Sequence, residues 1–240
     1  MTPAWRETPE GKTRARGLGL PFPGNPGLFN AITDVAGVEV GYATLLEGDG
    51  PLVVGAGPVR TGVTAILPRG RFDAAIPCFA GSSVLNGNGE MTGLAWIEEI
   101  GQLQTPVTIT NTHSAGVARD ATLRWMVKNR IGHDQDWGLP VAAETYDGEL
   151  NDINGFHVTV DHVLAALDAA SGGPLELGSV GGGAGMICYD FKGGSGTSSR
   201  IVEAAGSRFT VGVFVQANFG RRDQLVVLGV PVGPAFDVPR

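Results

Sequence analysis

Hydrophobic and polar positions alternate most clearly in two parts of the chain. FNAITDVAGVEVGYATLL (29–46) predicts strands broken at Gly37 and Gly41, and RFTVGVFVQANFG (208–220) predicts a strand that delivers Asn218 at its end. Shorter apolar runs at LVVG (52–55), VTAIL (63–67), PVTIT (106–110), LPVAA (139–143) and QLVVLGVPVG (224–233) read as further strands. Three segments have helical spacing instead. In 93–103 the recurring positions are Leu94, Ile97, Ile100 and Leu103; in 118–131 they are Leu123, Met126, Val127 and Arg130. The third helix spans 160–173, with Gly172 and Gly173 as stop signals. Residues 1–29, rich in proline, glycine and charge, read as an extended arm. The strands come in neighbouring runs with hairpin-like links, which predicts an α+β fold with largely antiparallel sheets. No linker or internal repeat divides residues 1–240, so they read as a single domain portion.

Composition narrows the picture. With 42% hydrophobic and 17% charged residues, the chain predicts a compact globular protein rather than a disordered one. A net charge of −7 with scattered arginine and lysine invites neither nucleic acid nor an anionic membrane. Cys78 and Cys188 are far apart and read as small buried hydrophobes. No apolar run approaches a membrane span, and the polar N-terminus shows no signal-peptide core, so the expectation is a cytoplasmic protein.

The 38 glycines matter most between Ser179 and Asn218, where glycine density implies backbone passing close to something. A phosphate cradle fails on its details. No Gly-Lys-Ser/Thr occurs, and MICYDF (186–191) after the glycines is strand-like rather than helical. The bland reading is a glycine-rich hairpin that permits tight packing, with SGTSS (195–199) as a turn. The acidic loop 144–152 reads as a solvated turn for Asp147 and Glu149. Glu144 differs because it directly follows LPVAA, and a carboxylate at a strand end can pair with a substrate ammonium. Tyr146, two residues on, points to the same side if the strand continues. His113, His133, His157 and His162 lack metal-ligand spacing; His157 and His162 straddle a helix start and suit capping or surface roles. Cys78 in its small-residue loop is a weak candidate for a Cys–His nucleophile, and no serine-hydrolase elbow occurs. The residues therefore offer an amine binder and amide donors without a convincing nucleophile.

Several long motifs carry a resemblance. RARGLGLPFPGNPGLFNAITDVAGVEVGYATL, VRTGVTAILPRG, LNGNGEMTG, AETYDGELNDINGFHV and VGGGAGMICYDFKGGSGTSSRIV with FTVGVFVQANFG resemble the DmpA-type aminopeptidases across Arg14–Gly233. This family comprises L-aminopeptidase/D-amidase/D-esterases and β-peptidyl aminopeptidases. The resemblance implies a four-layer αββα sandwich similar to Ntn hydrolases and a precursor that cuts itself before a serine. That serine, at the new N-terminus of a β subunit, is the nucleophile, so this chain is expected to be the α subunit. No Ser-led segment follows Arg240, and alone the chain is expected to be inert. By the same resemblance Asn218 stabilises the oxyanion, Glu144 grips the substrate's free ammonium, and Tyr146 is a second oxyanion donor or proton-transfer group. Donation is the better reading, since a phenol ionising near pH ~10 is a poor base at neutrality. The expected reaction releases small N-terminal residues from peptides, amides and esters through an acyl-enzyme, without cofactor or metal. The expected partners are the β subunit and a homotetramer of α/β protomers. Two rivals stand beside this reading: an ornithine acetyltransferase-like enzyme with a threonine nucleophile, and a non-catalytic glycine-rich binding module.

Overall fold

The structure is a computed structural model that describes residues 3–71, 76–131 and 137–236. His133 lies outside the described residues. Six strands and three helices make the frame: β1 (Glu39–Glu47), β2 (Val59–Leu67), α1 (Leu94–Ile100), β3 (Val107–Asn111), α2 (Ala115–Lys128), β4 (Val141–Thr145), α3 (Val160–Asp168), β5 (Gly194–Ala204) and β6 (Ser207–Ala217). The first four strands form one sheet in the order β1-β2-β3-β4. Its pairings are antiparallel except β3–β4, which is parallel and crosses over through α2. β5 and β6 form a separate antiparallel hairpin, in register from Ser207 opposite Ala204 to Ala217 opposite Gly194. Its two-residue turn, Ala205–Gly206, holds both residues at positive φ (49° and 74°), which matches the twist of the flanking strands.

Alternation explains the layering. Val63, Ala65 and Leu67 of β2 point to α2 and α3, where they meet Ala118, Ala121, Trp125, Val163, Ala166 and Leu167. The facing residue Ile66 joins a second cluster with Ala31, Val38, Val40 and Phe214 of β6. β2 is therefore buried on both faces, although its sequence VRTGVTAIL is apolar mainly in its second half. Trp125 is fully buried, and its indole Nε1 donates to Asp168 Oδ1 at 2.8 Å, tying α2 to α3. Truncating a buried aromatic of this size costs about 3–5 kcal/mol. The chain thus supplies a helical layer and both sheets of the expected sandwich, with the second sheet present as the β5–β6 hairpin. The outward face of β6 is uncovered: Phe209, Val211, Val213 and Val215 are 42–50% exposed.

Several sequence expectations change. The buried face of α2 is Ala115, Ala118, Ala121, Thr122, Trp125 and Met126, while Val127 is 78% exposed. Small residues let that helix approach the sheet closely, and a search for large apolar side chains misses them. The first helix stops at Ile100 because Gly101 takes the left-handed conformation (φ 67°), and Leu103 instead pairs with Cys78. The third stops at Asp168, short of its glycines. SGTSS is not a turn but lies within β5. LVVG contributes only an isolated Val53–Gly57 bridge, and 224–233 is a miniature hairpin pairing Val226–Val227 with Val230–Pro231. The N-terminal arm is not extended; it folds into turns closed by a Glu7–Thr13 bridge. Arg14 pins it, donating to the carbonyls of Ala4, Phe29, Asn30 and Thr197. Among the described residues no helix is long and apolar enough to cross a membrane.

Candidate active site

The glycine run is a spacer between the two sheets. Gly181–Gly183 forms a 3-10 turn in which Gly181 N donates to Thr44 Oγ1 (2.8 Å) and Gly182 N to Thr64 Oγ1 (3.2 Å). A Cβ on Gly182 would lie 2.6 Å from the Ile109 carbonyl and would also strike the Gln216 side chain. Only glycine lets the hairpin lie this close to the first sheet. That closeness sets the site, because it lets Gln216 Nε2 donate to Thr145 Oγ1 at 2.5 Å. This bond ties the end of β6, two residues before Asn218, to the residue between Glu144 and Tyr146.

Glu144 sits near the end of β4, opposite Thr110 of β3. Glu90 N donates to its Oε1 at 3.0 Å and Thr112 Oγ1 to its Oε2 at 2.5 Å. A carboxylate has about four acceptor positions, so two remain for a ligand. No arginine, lysine or histidine pairs with Glu144 among the described residues. A half-buried, oriented and unneutralised carboxylate is suited to an ammonium. Tyr146 is 53% exposed, and its ring folds back over Gly148, where a Cβ would sit 2.6 Å from the hydroxyl. Asn218 Oδ1 accepts a long hydrogen bond, 3.4 Å, from Ile187 N. The side chain is thus held through its oxygen, and its Nδ2 has no partner among the described residues.

The three sequence-derived candidates therefore sit at the ends of β4 and β6, which the Gln216–Thr145 bond joins, and the fold adds residues that sequence reasoning missed. Thr112 orients Glu144. His113, beside it, sets its Nδ1 3.2 Å from the Ile153 carbonyl and stacks on Phe156 at 5.4 Å. A signal existed: NTH ends the apolar run PVTIT with polar residues, as Asn218 ends its own strand. Cys78 is half-buried in its two-residue ladder, its thiol 3.6 Å from the Leu103 carbonyl. His162 caps α3, accepting from Thr159 N at 3.1 Å.

The model of peptidase family S58 matches residues 30–238. The chain belongs to peptidase family S58. It is 57% identical over 220 residues to the β-peptidyl aminopeptidase BapA of Sphingosinicella microcystinivorans, covering 92% of this chain and 55% of that protein. Its identity to the BapA of Sphingosinicella xenopeptidilytica is 51% over 222 residues, with the same coverage, 92% and 55%. The chain thus spans about half the length of the curated relatives it matches. Among solved structures it superposes on the L-aminopeptidase D-Ala-esterase/amidase of Ochrobactrum anthropi, described as a new variant among the Ntn hydrolase fold. The TM-score is 0.89 at 53% identity, covering 94% of this chain and 63% of the other. A Burkholderia sp. β-aminopeptidase gives 0.87 at 52%, covering 95% and 63%.

In this S58 chain the acidic loop departs from the solvated turn expected of it. Glu149 is exposed, but Asp147 is 1% exposed. Its Oδ1 accepts from Asn151 Nδ2 at 3.1 Å, and Asn111 Nδ2 donates to Thr61 Oγ1 at 3.0 Å alongside. The ends of β2 and β3 and the loop after β4 thus meet in one buried polar knot beneath Tyr146. Burial pushes the Asp147 carboxyl up, against the downward pull of hydrogen bonds with Thr61, Asn151 and Asn111. A raised folded pKa adds stability that is full below the unfolded carboxylate range, near pH ~4, and is lost as pH rises through the folded value. Asp147→Asn removes this titration. Thermal melts of the assembled protein should show the variant gaining on the parent as pH rises from 4 toward 7, by about 1.4 kcal/mol for each pH unit over which the folded carboxyl stays protonated and the unfolded one does not. A difference independent of pH would show that folding does not raise the Asp147 carboxyl.

Proposed function

We propose that this chain is the α subunit of a serine aminopeptidase and that the nucleophile is the N-terminal serine of a β subunit cut from the same precursor. One observation carries the reading. The Gln216–Thr145 bond ties the strand end that leads to Asn218 to the strand end that carries Glu144 and leads to Tyr146. On this reading two kinds of group serve one centre: a carboxylate for an ammonium, and two neutral donors for an oxyanion. In the proposed reaction the substrate's free amine binds Glu144 and the serine Oγ attacks the adjacent carbonyl. The developing oxyanion accepts from Asn218 Nδ2 and the Tyr146 hydroxyl. Collapse expels the amine or alcohol and leaves an acyl-enzyme, which water hydrolyses to the free amino acid. Substrates are N-terminal residues of small peptides, amides and esters, and α/β protomers assemble as a homotetramer.

The outward face of β6 supports a missing partner. Its stripe of four exposed apolar residues is what the inner surface of a sandwich looks like before the last layer is added. The outer edge of β6 also has no ladder partner among the described residues, while β5 is bridged by Gly178 and Asn25. The β subunit is the proposed cover. Intact-mass measurement of the natural gene product tests this: two fragments are expected, one beginning with serine. A single uncut chain with full activity would overturn the α-subunit assignment.

A further inference from the structure

The N-terminal arm and the start of β5 enclose a cavity of about 450 Å³. The backbone from Ser195 to Ser198 lines one side, and the arm lines the other with Lys12, Arg14 and Arg16. Phe22 and Leu177 add apolar wall. No aspartate or glutamate is among the described residues that line it, although the chain as a whole carries a net charge of −7. The arm is fixed in this shape by its Glu7–Thr13 bridge and by Arg200, whose Nε donates to the Pro23 carbonyl at 2.9 Å.

The cations differ in what they have to spare. Arg14 spends its terminal nitrogens on the carbonyls of Ala4, Phe29, Asn30 and Thr197, so it lends the cavity charge. Arg16 uses only Nη2, on the carbonyls of Pro23 and Gly24 at 3.1 Å each, and its Nη1 and Nε have no partner among the described residues. Lys12 pairs with no carboxylate among the described residues. Asp34, whose charge acts on Arg14, is already occupied: it accepts from Phe29 N, Ala31 N and Ser199 Oγ. Glu10 and Glu176 place their charges near Tyr42 instead. Burial holds the Arg14 and Arg200 guanidiniums below their usual range, and the Arg16 charge presses further on Arg200. A hollow walled by one sign of charge concentrates ions of the other.

We propose that this cavity binds a small organic anion, with its carboxylate or phosphate head on Lys12 and Arg16 and its apolar body against Phe22 and Leu177. The volume lies within the range of small-molecule sites, which combine apolar wall with a few convergent polar groups. Glu144, Tyr146 and Asn218 do not line it, so the inference stands apart from the aminopeptidase reading. A ligand here bridges the arm and β5, and binding to the folded state alone raises its stability in proportion to the logarithm of occupancy.

The test uses the natural full-length gene product with hexanoate, hexyl phosphate and hexanamide, none of which carries an ammonium for Glu144. Calorimetric titration should show each anion binding once per chain, with Tm rising as its concentration rises. Hexanamide, the same body without the charge, should bind at least tenfold more weakly. Lys12→Gln and Arg16→Gln should each weaken the anions about tenfold, as expected for a lost hydrogen bond to a charged group, and leave turnover of an alanyl p-nitroanilide unchanged. Lys12 has no partner to lose, so its variant keeps the test valid if Arg16→Gln loosens the arm. A tighter hexyl phosphate would assign the site to phosphates, and a tighter hexanoate to carboxylates. Failure of both anions to bind, equal binding of hexanamide, or anion binding indifferent to Lys12→Gln would each overturn the proposal.

Discussion

Replacing Asn218 with alanine is expected to lower kcat for an alanyl p-nitroanilide by about 100- to 1,000-fold, with self-assembly retained and KM little changed. The magnitude is that of a single preorganised oxyanion donor, about 3–4 kcal/mol of barrier. The structure supports so specific a loss because Asn218 is fixed through its oxygen by Ile187 N, leaving its Nδ2 to donate. A donor held in place before the reaction costs no reorganisation when charge develops. Its neighbours explain why the loss should stay local. Tyr189 N donates to the Phe219 carbonyl at 2.9 Å and the two rings meet edge-on at 5.2 Å, so the backbone around position 218 is held independently of the amide. An unchanged kcat would remove Asn218 from the oxyanion role, and a matched rise in KM would recast it as a binding residue.

Glu144→Gln should cut kcat/KM for free-amine substrates by about 10- to 100-fold, the span of about 1.5–3 kcal/mol for a hydrogen bond to a charged group. The amide is isosteric and its oxygen can still accept from either Glu90 N or Thr112, so what is lost is mainly the negative charge. N-acylated substrates bring no ammonium and should be hydrolysed poorly and equally by parent and variant. Equal proportional loss on both classes would argue that Glu144 shapes the strand end rather than binding an amine.

Much of the site was legible because strands advertise their ends. Glu144 and Asn218 each terminate an apolar run with a polar side chain, and that break in pattern marked both before any geometry was known. Asn111 broke a third run in the same way, and Thr112 behind it passed unnoticed, because NTHSAG after PVTIT reads as an ordinary turn. Asp147 was misjudged for a different reason. Loop carboxylates usually face water, and nothing local to TYDGELND announces that Thr61 and Asn111, from strands far away in the chain, bury this one.

Local pattern alone determined that the chain is a mixed α+β protein with hairpin-linked strands, glycine-dense between residues 181 and 194, and without a nucleophile motif. These properties depend on the side-chain period and on φ freedom, which act over a few residues. Tertiary structure decided the rest. Only the fold shows that the glycines are a spacer, thin enough for Gln216 to reach Thr145 and join the two strand ends. Only the fold shows the uncovered stripe on β6, since an apolar side chain looks the same in sequence whether it meets a core or a partner. Burial is a property of what the rest of the molecule brings to a surface, and the pairings that bring it here join residues up to 183 positions apart.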